Sequence, residues 1–345
     1  MKLEGREWRE FFVKDIFNTI QRGKRLTKSN QIVGDIPYIS STGLNNGVDN
    51  FIGNTTDVRI FNNCLTIANS GSVGASFYHS YKFIASDHVT HLVKKGTSIY
   101  EYLSLSTLTN RLSKKYNFNR EINDKRISRE KLVLPIAQKG TPDWQFMEKY
   151  SKSIFEKKEE KYICYIKGVL ETLTYKKIKK LEEKEWREFA IESIGEIVSG
   201  KDIYSEERID GNTPYISATS KNNGIGYFIG NSNKTLEENC LSVNRNGSVG
   251  YSFYHPYKGL FSNDCRKIRL KYDSTLVGFF IANQITKQKN KYNYGYKMGT
   301  GRIKRQKILL PINTKNEPDY TYMEQYIKNM KYKKIKQYLA FKGEG

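Results

Sequence analysis

A chain of 345 residues, 38% hydrophobic and 13% aromatic, is long enough for two or three domains and too apolar to be a disordered chain. Its 58 Lys and Arg against 36 Asp and Glu leave a net charge of +22, which points to a polyanion, nucleic acid above an acidic membrane, unless Lys-rich composition alone inflates it. No run approaches the roughly 20 apolar residues that span a bilayer, and the opening MKLEGREWREFF lacks the apolar core of a signal peptide, so a cytoplasmic chain is expected.

The first elements are short and β-rich. EWREFFVKDIF (Glu7 to Phe17) opens the chain, and NTIQRGKR brings Gly23-Lys24. IPYISSTGLNNGVDNFIGN (Ile36 to Asn54) contains Asn46-Gly47, a hairpin-turn dipeptide because both central positions of that turn want φ > 0. CLTIA and SFYHSYKFIAS read as strands, and between them stands Gly71-Ser72-Val73-Gly74. That GxxG matches the backbone clamp of KH-type RNA modules, but strand-like residues on both sides favour a β-turn. Glycine is expected there for positive φ and for close approach of backbone to a phosphate. His79 reads as a packed strand histidine, with DNA contact as the alternative. RISREKLVLPI (Arg126 to Ile136) leaves this half in a basic segment.

From Asp143 the period changes. Met147, Tyr150, Ile154, Ile163, Ile166, Leu170 and Leu173 step by three and four among Lys and Glu. The pattern predicts an amphipathic helix, capped by Asp143 and running to about Leu181, roughly 57 Å long.

Then the chain repeats itself. EWREFAIESIG (Glu185 to Gly195), TPYISATSKNNGIGYFIGN (Thr213 to Asn231), GSVGYSFYH (Gly247 to His255), RIKRQKILLPI (Arg302 to Ile312) and PDYTYMEQY (Pro318 to Tyr326) each answer to a block 176 to 178 residues earlier. A period that long means two domains of one fold. A second, shorter helix is expected over Tyr320, Met323, Tyr326, Ile327, Met330, Ile335 and Leu339, packing on the first as an antiparallel pair. The fold class is therefore α/β (α+β): two duplicated β-rich domains (1–142 and 185–317), separated by an antiparallel pair of long helices (143–184 and 318–345).

Catalytic constellations are missing. GEIVSGKD (Gly195 to Asp202) resembles a P-loop but places Asp202 where a Ser or Thr hydroxyl is needed. Asp143 with Glu156 to Lys158 mimics a nuclease carboxylate pattern that the second copy lacks. His88 and His91 look like a ligand pair beside Asp87, yet the second copy holds Asp264 and Lys267 there. Cys64, Cys164, Cys240 and Cys265 form no CxxC pair and read as buried thiols in a reducing compartment. No metal site or enzymatic activity is expected.

Two basic, β-rich halves, each opened by a Trp8 or Trp186 block, closed by RIS-EKLVLPI or RIK-QKILLPI and trailed by a helix, resemble the specificity (S) subunits of type I restriction–modification systems. The short length and the PYIS…NNG…FIGN…GSVG blocks are most similar to the BcgI-like type IIB branch. The resemblance covers essentially the whole chain; a second helix (Asp319 to Phe341) shorter than the first is a departure. It implies two target-recognition domains, each reading one half of a bipartite duplex DNA site. It implies helices that set the unread spacer and dock methyltransferase or fused methyltransferase–nuclease subunits. S-adenosylmethionine and Mg2+ are then expected in those partner subunits, with no cofactor in this chain. An RNA-binding protein with tandem β-rich modules and a non-nucleic-acid interaction scaffold are the other two readings.

Within that implication, residues shared by the copies are phosphate candidates and residues that differ are base-reading candidates, because side-chain identity discriminates base edges. The DNA-backbone set is Lys24, Lys201, Arg126, Arg129, Arg302, Lys304 and Arg305, including the Gly-rich basic loop KMGTGRIKR. The base-reading set is Asn45, Asn46, Asn69, Ser70, Lys221, Asn222, Asn223, Arg245, Asn246 and Tyr251. For the four turn asparagines, a turn-forming role is favoured over a base contact. Arg suits guanine and Asn suits adenine.

Overall fold

The computed structural model describes residues 3–117, 119–293 and 295–343, and the chain falls into two units, Met1–Tyr162 and Ile163–Gly345. Unit 1 runs β1 (Trp8–Phe12), α1 (Val13–Ile16), β2 (Thr19–Arg22), β3 (Val33–Ile39), β4 (Val48–Ile52), β5 (Ile60–Phe61), β6 (Cys64–Ala68), β7 (Ser76–His79), β8 (Phe83–Ala85), β9 (Val89–Val93), α2 (Ile99–Asn110), α3 (Asp124–Arg129), β10 (Lys131–Pro135) and α4 (Trp144–Glu171), with the unit boundary inside α4.

The strands of unit 1 form an antiparallel sheet β2-β9-β6-β7, a sheet β4-β3-β8-β5 in which β3 and β8 are parallel, and the ribbon β1-β10. β6 explains the layering, since the two-residue period of a strand splits CLTIA between two cores. Leu65 and Ile67 pack with Leu92, Tyr102 and Leu105 beneath α2, while Cys64 joins Ile39, Phe83 and Ala85 of the second sheet. Each such Leu or Ile contributes roughly 1.5–3 kcal/mol by leaving water. α2 starts where the Ser98 hydroxyl accepts from the Glu101 N–H.

Unit 2 repeats the plan with β11 (Trp186–Ala190), α5 (Ile191–Ile194), β12 (Gly195–Ser199), β13 (Asp210–Ile216), β14 (Ile225–Ile229), β15 (Cys240–Asn244), β16 (Ser252–His255), β17 (Leu260–Phe261), β18 (Cys265–Leu270), α6 (Thr275–Thr286), α7 (Thr300–Arg305), β19 (Lys307–Pro311) and α8 (Tyr320–Phe341). Its sheets are β12-β18-β15-β16, β14-β13-β17 and β11-β19. Where unit 1 has β5 on β8, unit 2 has a single bridge between Glu237 and Gly259.

Four local expectations change. The first long helix ends at Glu171, not near Leu181. Thr172 and Thr174 are poor helix formers, and the extended backbone beyond finds partners on α8. Asn329 donates to Lys176 O (2.6 Å) and accepts from Lys176 N (3.1 Å), Gln325 donates to Thr174 O (2.8 Å), and the Tyr322 hydroxyl donates to Lys179 O (2.9 Å). The Asn-Gly dipeptides do not make two-residue hairpins. They end longer loops, residues 40–47 and 217–224, with left-handed backbone at Asn45, Asn46 and Gly47 and again at Asn222, Asn223 and Gly224. Cys164 is exposed, whereas Cys64, Cys240 and Cys265 are buried and their thiols pushed up to about 12 by desolvation.

The fourth concerns the GSVG loops. Gly71 and Gly247 do have positive φ (58° and 55°), but the backbone they approach is the protein's own. A Cβ on Gly71 would lie 2.8 Å from Ser41 O, and one on Gly247 2.6 Å from Ala218 O. Gly74 and Gly250 press in the same way on the backbones of Ser113 and Lys289 (2.5 and 2.7 Å). The phrase is repeated because two loops must cross closely at each of these points.

Candidate nucleic-acid interface

In unit 1 the four strands of the first sheet share one rim. β6 ends at Ala68 opposite Val89, where β9 begins, and β2 ends at Arg22 opposite Thr90. Beyond that rim lie Gly23-Lys24, the GSVG loop, Asp87-His88 and the stretch from Arg111 to α3. Backbone bonds tie them together: Asn69 N to His88 O (2.8 Å), Ile122 N to Asn69 O (3.1 Å) and Ser72 N to Ser41 O (2.9 Å). Unit 2 repeats the arrangement, with Arg245 N on Asp264 O (2.9 Å) and Ser248 N on Ala218 O (3.0 Å).

Most, but not all, of the expected site residues meet at these rims. Lys24 and Lys201 follow glycines that abut the second sheet: a Cβ at Gly23 would lie 2.1 Å from Ala85 O, and one at Gly200 2.0 Å from Ser262 O. Lys24 is exposed and pairs with Asp57 (2.7 Å), whose carboxyl it pulls below the usual range. Lys201 is exposed and has no ion pair among the described residues. Arg126 and Arg302 are exposed too, and each donates one N–H to a loop carbonyl 2.6 Å away, Glu121 O and Lys297 O respectively. Both therefore brace the loop that enters α3 or α7, and Arg302 also covers the Tyr296 ring at 3.9 Å.

The rest of the basic set departs from the rim. Lys304 lines a hollow with Glu192, Gly195 and Lys271, at the opposite end of β12. Arg129 and Arg305 close α3 and α7, beside the starts of β10 and β19.

Among the base-reading candidates, burial divides the list. Asn69 is 1% exposed and its carbonyl accepts from the Thr90 hydroxyl (3.0 Å). Ser70 is buried and bonds His88 Nδ1 (2.8 Å). Both hold the loop in place and neither offers its side chain to a base edge. Asn223 is exposed but donates to the Tyr257 hydroxyl (3.0 Å), at a left-handed residue. Asn45, Asn46, Lys221 and Asn222 stand exposed on the neighbouring loops. Arg245 and Asn246 are half-exposed, with Asn246 donating to Asp264 (3.1 Å) and Arg245 3.9 Å from the same carboxylate. Tyr251 accepts from Lys289 Nζ (3.0 Å), which also lies over its ring.

Sequence reasoning passed over several groups at the rims. Arg22 lies 3.6 Å from Asp124 in unit 1, whereas Arg266 in unit 2 is buried and donates to Thr300 (2.8 Å) and Asn263 O (2.5 Å). The cation moves from an edge strand to a central one between copies. Lys289 was equally hidden, because its counterpart is Ser113; only the loop geometry brings it to Tyr251.

The histidines separate. His79 and His255 are fully buried between Thr66 or Ser242 at Nε2 (2.8 and 2.9 Å) and Tyr81 or Tyr257 at Nδ1 (3.0 and 3.2 Å). Burial pushes both down to about 4, so they are neutral packed imidazoles. His88 turns to Ser70 and His91 to Gln21 O (2.6 Å), so the two do not converge on one ligand. Among the described residues no three His, Cys, Asp or Glu side chains gather to hold a metal, and no helix is long and apolar enough to cross a membrane.

A family model described as the type I restriction modification DNA specificity domain matches the chain twice, over residues 5–163 and 183–339. The chain is 31% identical over 331 residues to the specificity subunit S.BcgI of a type II restriction enzyme from Heyndrickxia coagulans, covering 94% of this chain and 95% of that one. Among solved structures, the S subunit of a type I restriction–modification system from M. genitalium aligns with a TM-score of 0.48 at 15% identity, covering 98% of this chain and 93% of that chain. The HsdS subunit from Thermoanaerobacter tengcongensis aligns with a TM-score of 0.32 at 12% identity, over 96% and 90% of the two chains.

Proposed function

The chain belongs to the type I restriction modification DNA specificity domain family, and on that premise we propose that its two units read the two halves of one split duplex site. As a specificity subunit of a restriction–modification system it recognises DNA sequence. Unit 1 takes one half-site and unit 2 the other, each through the rim of its four-stranded sheet.

The observation that carries this reading is the pairing of shared and divergent groups at matched rims. Lys24 and Lys201, and Arg126 and Arg302, recur with the same placement. Arg245, Asn246 and Tyr251 do not: at the matching places in unit 1, Asn69 and Ser70 are buried and Ala75 has no polar group. Shared cations suit a phosphate backbone that is the same everywhere, and divergent polar side chains suit base edges that are not. Of the base-reading candidates, Asn45, Asn46, Lys221, Asn222, Asn223, Arg245, Asn246 and Tyr251 have the exposure the role needs.

The chain itself carries out no chemistry in this account. It targets methyltransferase or fused methyltransferase–nuclease subunits of the BcgI-like kind in the cytoplasm. Those subunits bring S-adenosylmethionine and Mg2+, and the long helices dock them and set the spacer between half-sites. Methylome sequencing of a host with and without the gene tests the reading. A bipartite N6-methyladenine motif that appears only with the gene supports it, and identical methylomes contradict it. Displacement of bound duplex by single-stranded RNA would instead favour an RNA-binding module.

A further inference from the structure

Between α2 and the first half of α4, unit 1 has an open apolar groove of about 430 Å3. Pockets of this size are large enough to bury a few side chains of a ligand. Its middle is made by two small polar residues, Ser104 on α2 and Ser151 on α4, whose hydroxyls bond each other. Around them Trp8, Ile154 and Phe155 remain 37–40% exposed. The same place in unit 2 is filled by core side chains. There the matching residues are Phe280 and Ile327, both buried. The Phe280 ring stacks on Trp186 at 6.2 Å and meets Tyr326 edge-on at 5.8 Å, with Leu181 packed against the cluster.

Unit 2 also shows what kind of chain this helix face accepts. Tyr326 and Met330 on α8 line a seam with Tyr175, Ile178 and Leu181 of the extended stretch described above. The α4 residues at those two positions, Tyr150 and Ile154, line the open groove in unit 1. The polar grip differs, however. Asn329 and Gln325, which bond the backbone of the extended stretch in unit 2, are replaced by Ser153 and Lys149. The charged residues lining the groove, Arg111 and Lys158, are both cations.

We propose that this groove docks an extended apolar segment with carboxylate side chains from a partner protein, one per chain. Apolar side chains of the segment fill the space that Phe280 fills in unit 2, beside Leu3, which lines the groove at the position matching Leu181, and the carboxylates face Arg111, Lys149 and Lys158. The asymmetry follows from residues inside the duplication: the unit 2 counterpart is already full. The groove meets the unit 1 rim at Arg111, where the stretch toward α3 begins, and its docking role stands whether or not the two rims read sequence.

The test uses the full chain and a labelled peptide, LTYEEIEE, which is the 173–180 sequence with its four lysines changed to glutamate; the place of Leu181 is left to Leu3. Fluorescence anisotropy should show saturable binding of one peptide per chain. The native lysine peptide should bind about tenfold more weakly, a difference of about 1.4 kcal/mol. Ser104→Phe, which installs the side chain of the filled unit, and Ile154→Glu on the exposed wall should each weaken peptide binding by about tenfold or more. Both variants should keep the native circular dichroism spectrum and DNA affinity. The proposal is overturned by an absence of saturable binding, by equal binding of the lysine peptide, or by unchanged binding in both folded variants. Loss of DNA binding by the native chain would count against the recognition reading alone.

Discussion

Asn246 donates its side-chain amide to Asp264 across 3.1 Å, and the matching pair in the other unit is Ser70 with His88 at 2.8 Å. One loop crossing is thus held by two unrelated pairs. In unit 2 the carboxylate also lies 3.9 Å from Arg245 and so orients two half-exposed groups suited to guanine and adenine edges. In unit 1 the equivalent residues are buried and hold only the loop.

Arg245→Ala is therefore expected to relax the preferred sequence of the unit 2 half-site, at a loss of about 1–3 kcal/mol on the cognate base. Lys201→Ala should weaken all sequences alike and lower the salt slope of binding by about one. Titrations of both variants against a panel of half-site substitutions at two salt concentrations separate the roles. Identical behaviour across the panel would contradict the division into readers and clamps.

Gly200→Ala should destabilise the protein by about 1–3 kcal/mol, because its Cβ would sit 2.0 Å from Ser262 O and only backbone can give way. The urea midpoint reports it. A midpoint equal to that of the native chain would mean that the loop before Lys201 is looser than described.

The buried imidazoles make stability depend on pH. The folded state holds His79 and His255 near 4 against 6.5 for the free side chain, so the unfolded chain binds more protons between those values. Stability is full above about pH 6.5 and falls as the pH drops toward 4, by about 3 kcal/mol for each histidine. The melting temperature of the native chain should fall more steeply across this window than that of a His79→Gln, His255→Gln variant. Parallel slopes would rule out these two groups as the cause.

Asn329→Ala removes both bonds to Lys176 and frees the extended stretch that carries Lys176, Lys177, Lys179 and Lys180. Loss of paired, partly buried backbone contacts of this kind costs about 1–3 kcal/mol. Limited trypsin digestion should cut there several times faster than in the native chain. An unchanged cleavage rate would show that α8 does not hold the segment.

The duplication, the strand runs and both helix starts are legible in the sequence, because the short apolar run CLTIA and the three-to-four spacing after Asp143 are local signals. The end of the first helix is not. Its termination depends on Asn329, 153 residues from the Lys176 backbone it satisfies. The rim was half legible: comparing the copies finds Lys24, Lys201, Arg245 and Asn246. It cannot reveal that Asn69 is buried against Thr90, or that Lys304 falls at the end of β12 opposite the rim. Those outcomes depend on how far a short helix or loop travels before it meets the next strand.

Selection of bound duplexes from a randomised library by the full chain tests the central claim most directly. The account predicts two short conserved motifs separated by an unread gap of fixed length, with Arg245→Ala altering one motif and leaving the other. A single uninterrupted motif, no enriched sequence, or loss of both motifs in that variant would contradict the assignment of one half-site to each unit.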